Sequence, residues 1–398
     1  MRDTGFLAIA GLLAFACVSD SAPREWLGSI DTLPSGIVQV VNPAQGMWDS
    51  RSAWRIEEDL RIGSLDGGPE EFSRITDLEV DQWGRIYVLQ GPEVRVFNTD
   101  GEYVRTVGRS GGGPGEFKGP IGIDIDSMGR LWVTDAMNLR YTVFDSSGAL
   151  HLIRSRHDRF VPFGGDWADR IGVDGTFYDT DIHSLAPSVF ERRYFRLDTA
   201  LSPIDTIAVP PYDRTPSTEL RPPRPYPPRI RSVLDGRGYV WCALTTEYRI
   251  VQLRFPGDTV RSVERAFEPP AVTDDERAAI EEALRRGNRE IGLPGTRQQV
   301  EIPSHKPALA RFFVDAQGYL WTVPYGANDG ETRTLDVFDP EGRYLGEARA
   351  NFTIGLERTA MPSVGRGTPI IVRGNHLYAV SFDDWDVPYV VRARIDGR

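Results

Sequence analysis

One segment of this chain returns as a near copy 45 residues later, and that period limits the possible folds more than any other feature. Gly67-Gly68-Pro69-Glu70-Glu71-Phe72 recurs as Gly112-Gly113-Pro114-Gly115-Glu116-Phe117. In the same register Asp81-Gln82-Trp83-Gly84-Arg85-Ile86-Tyr87-Val88 recurs as Asp126-Ser127-Met128-Gly129-Arg130-Leu131-Trp132-Val133. A fixed period of this size marks a unit that buries its apolar face only against its neighbours. The same Asp-x-x-Gly plus aromatic pattern stands at Asp235 to Trp241 and Asp315 to Trp321, with weaker forms at Val173 to Tyr178 and Arg373 to Tyr378. Six units result.

Several units carry a second signature, as in Val96-Phe97-Asn98-Thr99-Asp100-Gly101, Val143-Phe144-Asp145-Ser146-Ser147-Gly148 and Val337-Phe338-Asp339-Pro340-Glu341-Gly342. Short β-branched or aromatic runs separated by glycine-containing turns are hairpin signals, so each unit reads as a meander of four strands. The predicted fold is all-β: a six-bladed β-propeller of four-stranded antiparallel blades, spanning residues 51–398. The sixth unit runs out of sequence after three strands. Because an open edge invites aggregation, an N-terminal strand within 51–63, best matched by Ala53 to Ile62, is expected to close the last blade.

Two insertions interrupt the repeat. Residues 209–228 are dense in proline and carry Arg214, Arg221 and Arg224, with Arg229 just beyond, which forbids a helix and favours an extended loop. Residues 270–305 contain the capping box Thr273-Asp274-Asp275-Glu276, which predicts a helix over Arg277 to Arg286 stopped by Gly287. Its apolar stripe, Ala279, Ile280, Ala283 and Leu284, is expected to lie across a propeller face.

The stretch Gly111 to Asp126, continuing through Gly129 to Asp135, Asn138, Arg140 and Phe144-Asp145, resembles an NHL repeat. The match is close in the second unit, good in the first, and reduced elsewhere to the Asp-x-x-Gly and Phe-Asp-x-x-Gly skeleton. As a whole the chain resembles the bacterial secreted six-bladed propellers related to NHL proteins. Propellers of related shape include lactonase-like hydrolases and lyases that hold a metal at the channel mouth.

Residues 1–16 form an export signal: Arg2 precedes an apolar run, Phe6 to Ala16, too short to span a bilayer. The sequence Leu13-Ala14-Phe15-Ala16-Cys17 resembles a lipobox with Ala14 in place of the usual leucine, making Cys17 the candidate lipid attachment; plain secretion is the alternative. Residues 17–50 then serve as tether and N-terminal extension. The expected location is the bacterial cell envelope, periplasm or outer membrane, with membrane contact only through the anchor.

A net charge of -11, from 46 Lys+Arg against 57 Asp+Glu, argues against nucleic acid as a partner, since that affinity depends on clustered cations. Two cysteines and five scattered histidines leave little material for a metal centre, and no cofactor is expected. Cys242 reads as an inert core thiol. Gly108-Arg109-Ser110-Gly111-Gly112 fits the nucleophile-elbow formula, but that motif requires a strand-to-helix turn which is not predicted here. Asp124 to Asp135 has the outline of a calcium loop, with Met128 where an oxygen ligand is needed. Glu79 and Asp124 occupy equivalent inner-strand positions of adjacent units, which makes them the candidate channel site. Arg214, Arg221, Arg224 and Arg229 form a candidate loop for an acidic partner. The expected function is therefore a monomeric, non-catalytic module that binds a protein, peptide or glycan. The alternative is a metal-dependent propeller enzyme.

Overall fold

The structure is a computed structural model, and the residues described are 24–156, 171–186, 189–210, 212–213, 225–290, 301–325, 333–355 and 369–398. Three strands come first: β1 (Ser29–Thr32), β2 (Val38–Asn42) and β3 (Arg55–Ile62). Two meanders follow, β4 (Asp77–Val80), β5 (Ile86–Gln90), β6 (Glu93–Phe97) and β7 (Tyr103–Val107), then β8 (Pro120–Ile125), β9 (Leu131–Asp135), β10 (Arg140–Phe144) and β11 (Leu150–Ser155). The third sheet holds β12 (Phe177–Ala186), β13 (Val189–Leu197), β14 (Pro203–Ala208) and the short β15 (Tyr212–Asp213). Next come β16 (Ile230–Leu234), β17 (Val240–Leu244), β18 (Arg249–Arg254) and β19 (Asp258–Arg265), and after them the helix α1 (Asp274–Glu290). The chain ends with β20 (Leu309–Val314), β21 (Leu320–Pro324), β22 (Arg333–Phe338), β23 (Tyr344–Ala350), β24 (Ile370–Arg373), β25 (His376–Phe382) and β26 (Pro388–Asp396).

These strands form five sheets among the described residues. The N-terminal strands join two of them. β3 runs antiparallel to β26, from Val390↔Ile62 to Asp396↔Arg55, and its first residues pair parallel with β23, so the last two meanders become one eight-stranded sheet. This pairing supplies the fourth strand that the C-terminal meander lacks. Residues 38–42, inside the stretch read as tether and extension, are also structured: β2 pairs parallel with β19 from Arg261↔Val38 to Arg265↔Asn42.

The repeated aspartate is the residue that makes each turn. Asp81 Oδ1 accepts the Trp83 and Arg85 N–H groups at 2.9 Å, while its Oδ2 takes Arg85 Nε at 2.6 Å and the Tyr87 hydroxyl at 3.3 Å. Asp126, Asp235 and Asp315 repeat the pattern with the indole N–H of Trp132, Trp241 and Trp321 in place of the phenol. A side chain that accepts from its own backbone two residues on is an Asx turn, which explains why aspartate, glycine and an aromatic residue recur together. Gly129 completes the turn at φ 73°, and the Trp83 ring lies over it so closely that a Cβ would sit 2.6 Å from ring carbon.

The apolar residues pack between meanders. Tyr87, Leu89 and Val96 meet Ile123, Leu131 and Phe144, and Ile62 meets Val80, Phe97 and Val390. Innermost strands adjoin one another, β4 against both β8 and β24, and β16 against β20. The fold is all-β and propeller-like, with one helix among the described residues.

That helix begins as expected. Thr273 N–H donates to Glu276 Oε2 at 3.0 Å, and Glu276 N–H donates back to Thr273 Oγ1 at 3.2 Å. It does not stop at Gly287 but continues to Glu290, because one interior glycine costs only about 1 kcal/mol against alanine. The apolar stripe is covered only in part, with Ile280 and Leu284 half-buried and Ala279 and Ala283 exposed. Cys242 is buried, and burial alone pushes its thiol up to about 11.

Candidate binding face

In an antiparallel meander, the first-to-second and third-to-fourth connections leave from one end, and the second-to-third connections and the passages to the next meander leave from the other. Here the first kind never exceeds five residues. From β3 onward every longer connection belongs to the second kind: 63–76, 108–119, 209–229, 266–308, 325–332 and 351–369, together with the passage that follows β11. The tight turns thus leave from one face and the longer connections from the opposite one. Loops held on a rigid scaffold are where recognition residues concentrate.

The tight-turn face is closed by its own hydrogen bonds. Arg85 Nη1 and Arg105 Nη2 both reach Ser146 O, at 3.3 and 2.9 Å, and Arg237 Nη2 reaches Gln317 O at 2.7 Å. Asp126 and Asp135, both within the calcium-like stretch, are also consumed in hydrogen bonds. Asp135 accepts Lys118 N–H at 3.0 Å, Gly119 N–H at 2.9 Å and Asn138 Nδ2 at 2.6 Å, which accounts for this segment as a hairpin. Ser110 lies in a connection between strands β7 and β8, with Gly111 N–H and Phe117 N–H bonded across that loop, so the elbow geometry is absent there.

Glu79 and Asp124 stand on the adjacent innermost strands β4 and β8. Asp124 Oδ2 accepts Ile171 N–H of the third sheet at 2.6 Å, and Oδ1 accepts Ile125 N–H at 2.7 Å. Asp77, two residues before Glu79, accepts Ile123 N–H at 2.9 Å in the same manner. An innermost strand is a sheet edge, so its channel-side N–H groups need acceptors, and these carboxylates supply them. Glu79 Oε2 lies 3.8 Å from Arg373 Nη2. No group of three His, Cys, Asp or Glu side chains capable of holding a metal occurs among the described residues. His376 faces Asp59, His151 faces Arg130, and His305 faces Ser304, each in a different place.

A different set of residues gathers on the loop face, where β16 and β20 begin and β21 ends. Arg229 and Thr245 exchange hydrogen bonds, Leu309 N–H donates to Thr245 O at 3.0 Å, and Tyr325 N–H donates to Ala308 O at 3.1 Å. This ladder fixes three segments side by side. On it Tyr226 and Tyr325 meet edge to face with ring centroids 5.7 Å apart, and Tyr226 holds a left-handed φ of 50°. A non-glycine residue in that region marks a backbone held in place by its surroundings.

Lys306 donates to Glu276 Oε1 at 2.5 Å, which ties the first turn of α1 to the mouth. That hydrogen bond holds the Glu276 carboxyl below its usual range and the Lys306 ammonium above its own. Burial raises the Tyr226 and Tyr325 phenols, reinforced by Glu276 at Tyr226 and by Tyr226 at Tyr325, so both stay neutral donors near pH 7. The charge of Arg229 offsets part of the rise at Tyr325. Tyr226, Arg229, Lys306 and Tyr325 are all half-buried.

Of the four arginines picked from the proline-rich loop, Arg229 therefore reaches this mouth; Arg214, Arg221 and Arg224 lie outside the described residues, as do Cys17 and the export signal. Sequence reasoning missed Tyr226, Tyr325 and Lys306. Lys306 left one signal, being one of only two lysines in the chain.

Comparison with known proteins gives a family model over part of the chain and remote structural likenesses. The family model DUF5128, described as a 6-bladed beta-propeller, matches residues 84–161. No curated protein matches the chain. Among solved structures it is similar to a protein described as exported from Bacteroides fragilis, at 12% identity over 90% of this chain and 99% of that one, with a TM-score of 0.49. A member of the duf4221 family from Bacteroides vulgatus gives 11% identity over 87% and 99%, with a TM-score of 0.47. A protein from Xanthomonas campestris described as a gluconolactonase gives 14% identity over 88% and 97%, with a TM-score of 0.40.

Proposed function

We propose that this chain is a six-bladed β-propeller of the NHL-like bacterial kind, closed by its own N-terminal strand, that acts in the cell envelope as a non-catalytic binding module. In this reading Cys17 carries a lipid anchor, and the long-loop face binds a protein, peptide or glycan at the mouth formed by Tyr226, Arg229, Lys306 and Tyr325. The observation that carries it is the asymmetry of the connections: from β3 onward every long one leaves from one face, and that face presents two packed tyrosines flanked by two cations. Tyrosine and arginine in half-buried positions supply large contact area at low conformational cost, as recognition surfaces require. The engaged carboxylates of Asp124, Asp126 and Asp135 favour binding over metal-assisted hydrolysis.

Glycan and peptide arrays probed with the purified mature chain test the proposal. At least one ligand class is expected to bind, and Tyr226→Ala combined with Tyr325→Ala should weaken that binding at least about tenfold, whereas Trp83→Ala on the tight-turn face should not. Binding that survives the tyrosine changes and is lost on the opposite face would overturn it.

A further inference from the structure

The N-terminal segment covers the outer edges of only some meanders. β2 lies along β19, Trp48 N–H donates to Leu345 O of β23 at 2.7 Å, and β3 lies along β26. β7, β11 and β14, by contrast, are the last strands of their sheets among the described residues. An edge strand presents a row of N–H and C=O groups that pair with any extended chain fitting its register.

The structure itself shows how an outer edge is occupied. The outer strands β7, β11, β14, β19 and β23 carry a bulge at the same place near their start, where Leu253 opposes Thr259 in one meander and Phe144 opposes Leu150 in another. Aligned on that bulge, the footprint of β2 on residues 261–265 corresponds to Leu152, Ile153, Arg154, Ser155 and Arg156. The equivalent footprint beyond β7 is broken at Gly108, which turns the chain at φ 83°. β11 therefore keeps the straight edge that β7 loses.

The chemistry of that edge is one-sided. Leu150 is 42% and Ile153 37% exposed, and His151, Arg154 and Ser155 are exposed beside them. β11 carries no carboxylate, Arg154 makes no ion pair among the described residues, and Arg130, itself paired with Asp126, stands 3.4 Å from the His151 ring. Asp145, in the adjoining turn, is spent on the N–H groups of Ser147 and Ala149.

We infer that β11 is a strand-addition site that takes an extended, acidic segment of a partner protein, running parallel to it along Leu152 to Arg156. The added backbone would repeat on this meander the pairing that β2 makes with β19, and an acidic side chain facing Arg154 would set its register.

Amide hydrogen exchange of the mature chain, with and without synthetic ten-residue peptides alternating valine with glutamate or valine with lysine, tests this. The glutamate peptide should slow exchange across residues 150–156, the lysine peptide should not, and Arg154→Glu should weaken the protection about fivefold. Arg154 is exposed, so that variant is expected to fold; Ile153→Lys, also exposed, is a second that should reduce protection. No protection, equal protection by both peptides, or protection unchanged in Arg154→Glu would overturn the assignment. Protection that instead grows with protein concentration in the absence of peptide would place a second copy on this edge and overturn it equally.

Discussion

Arg265 Nη1 donates to Asp336 Oδ2 across 2.6 Å, linking the end of one outer strand to the middle of the next sheet with both side chains nearly out of solvent. The Tyr344 hydroxyl donates to Asp336 Oδ1 at 2.7 Å, the Tyr248 hydroxyl donates to Oδ2, and the guanidinium lies 4.1 Å from the centroid of the Tyr344 ring. Burial pushes the Asp336 carboxyl up, and Arg265 opposes the shift. Arg156 stands at the equivalent strand end, its N–H donating to Leu139 O as that of Arg265 does to Tyr248 O, and it grips buried Asp179 of the following sheet. Both pairs staple one meander to the next.

Removing one half of such a staple should cost far more than removing both. Arg265→Met leaves a buried carboxylate without its cation and should lower stability by about 3–5 kcal/mol. Adding Asp336→Leu removes the unpaired carboxylate and should recover part of that loss, the remainder reflecting the Tyr248 and Tyr344 hydroxyls that lose their shared acceptor. Urea denaturation of the two single variants and the double variant measures the coupling; losses that simply add would show that the two residues act independently.

The strand that joins the N-terminal segment to the C-terminal meander makes a second expectation. Ile56 is fully buried between β26 and β23, and its neighbours include Trp54, Ala350 and Ile395. Ile56→Ala should cost about 2–5 kcal/mol, and deletion of residues 24–62 should leave β26 with an open edge and drive aggregation. Size-exclusion chromatography and thermal melts check both. A deletion that stays monomeric and melts as the intact chain does would remove β3 from the stability argument.

Purified from the periplasm without chelators, the mature chain should carry no stoichiometric metal, because Asp81, Asp126, Asp135 and Asp315 are committed to turn and indole N–H groups. Elemental analysis by mass spectrometry decides this directly. One bound ion per chain would reopen the metal-dependent reading and direct mutagenesis to Glu79 and Asp124.

The fold was legible because its repeat is written in turn chemistry. Asp81, Gly84 and Tyr87 do locally what the sequence pattern says they do, and the capping box at Thr273 works for the same reason. The cluster on the long-connection face was not legible, because Tyr226, Lys306 and Tyr325 come from three segments up to 99 positions apart and meet only through the ladder from Arg229 to Ala308. Glu79 and Asp124 invited a chemical reading since periodicity places two acids on adjacent inner strands. What periodicity cannot show is that an inner-strand edge has N–H groups to satisfy, which is the use the structure gives Asp124.

Those turn carboxylates also set the pH response. Burial raises the Asp126 carboxyl, but the Trp132 indole and the N–H groups of Arg130 outweigh it, and the net shift is downward. Asp145, held by Ser147 and Ala149, is likewise lowered. A carboxyl whose folded pKa is depressed contributes stability above its unfolded value of about 3.9, and that contribution disappears as pH falls from there through the folded pKa. The contribution of these turn carboxyls should therefore be nearly flat from neutrality to about pH 4 and fall below it. Asp126→Asn should lower the urea midpoint at pH 7 and shrink the drop between pH 5 and pH 3, since the asparagine has no proton to gain. If the midpoints of the variant and the parent fall in parallel over that interval, the ionised Asp126 is not what holds the turn.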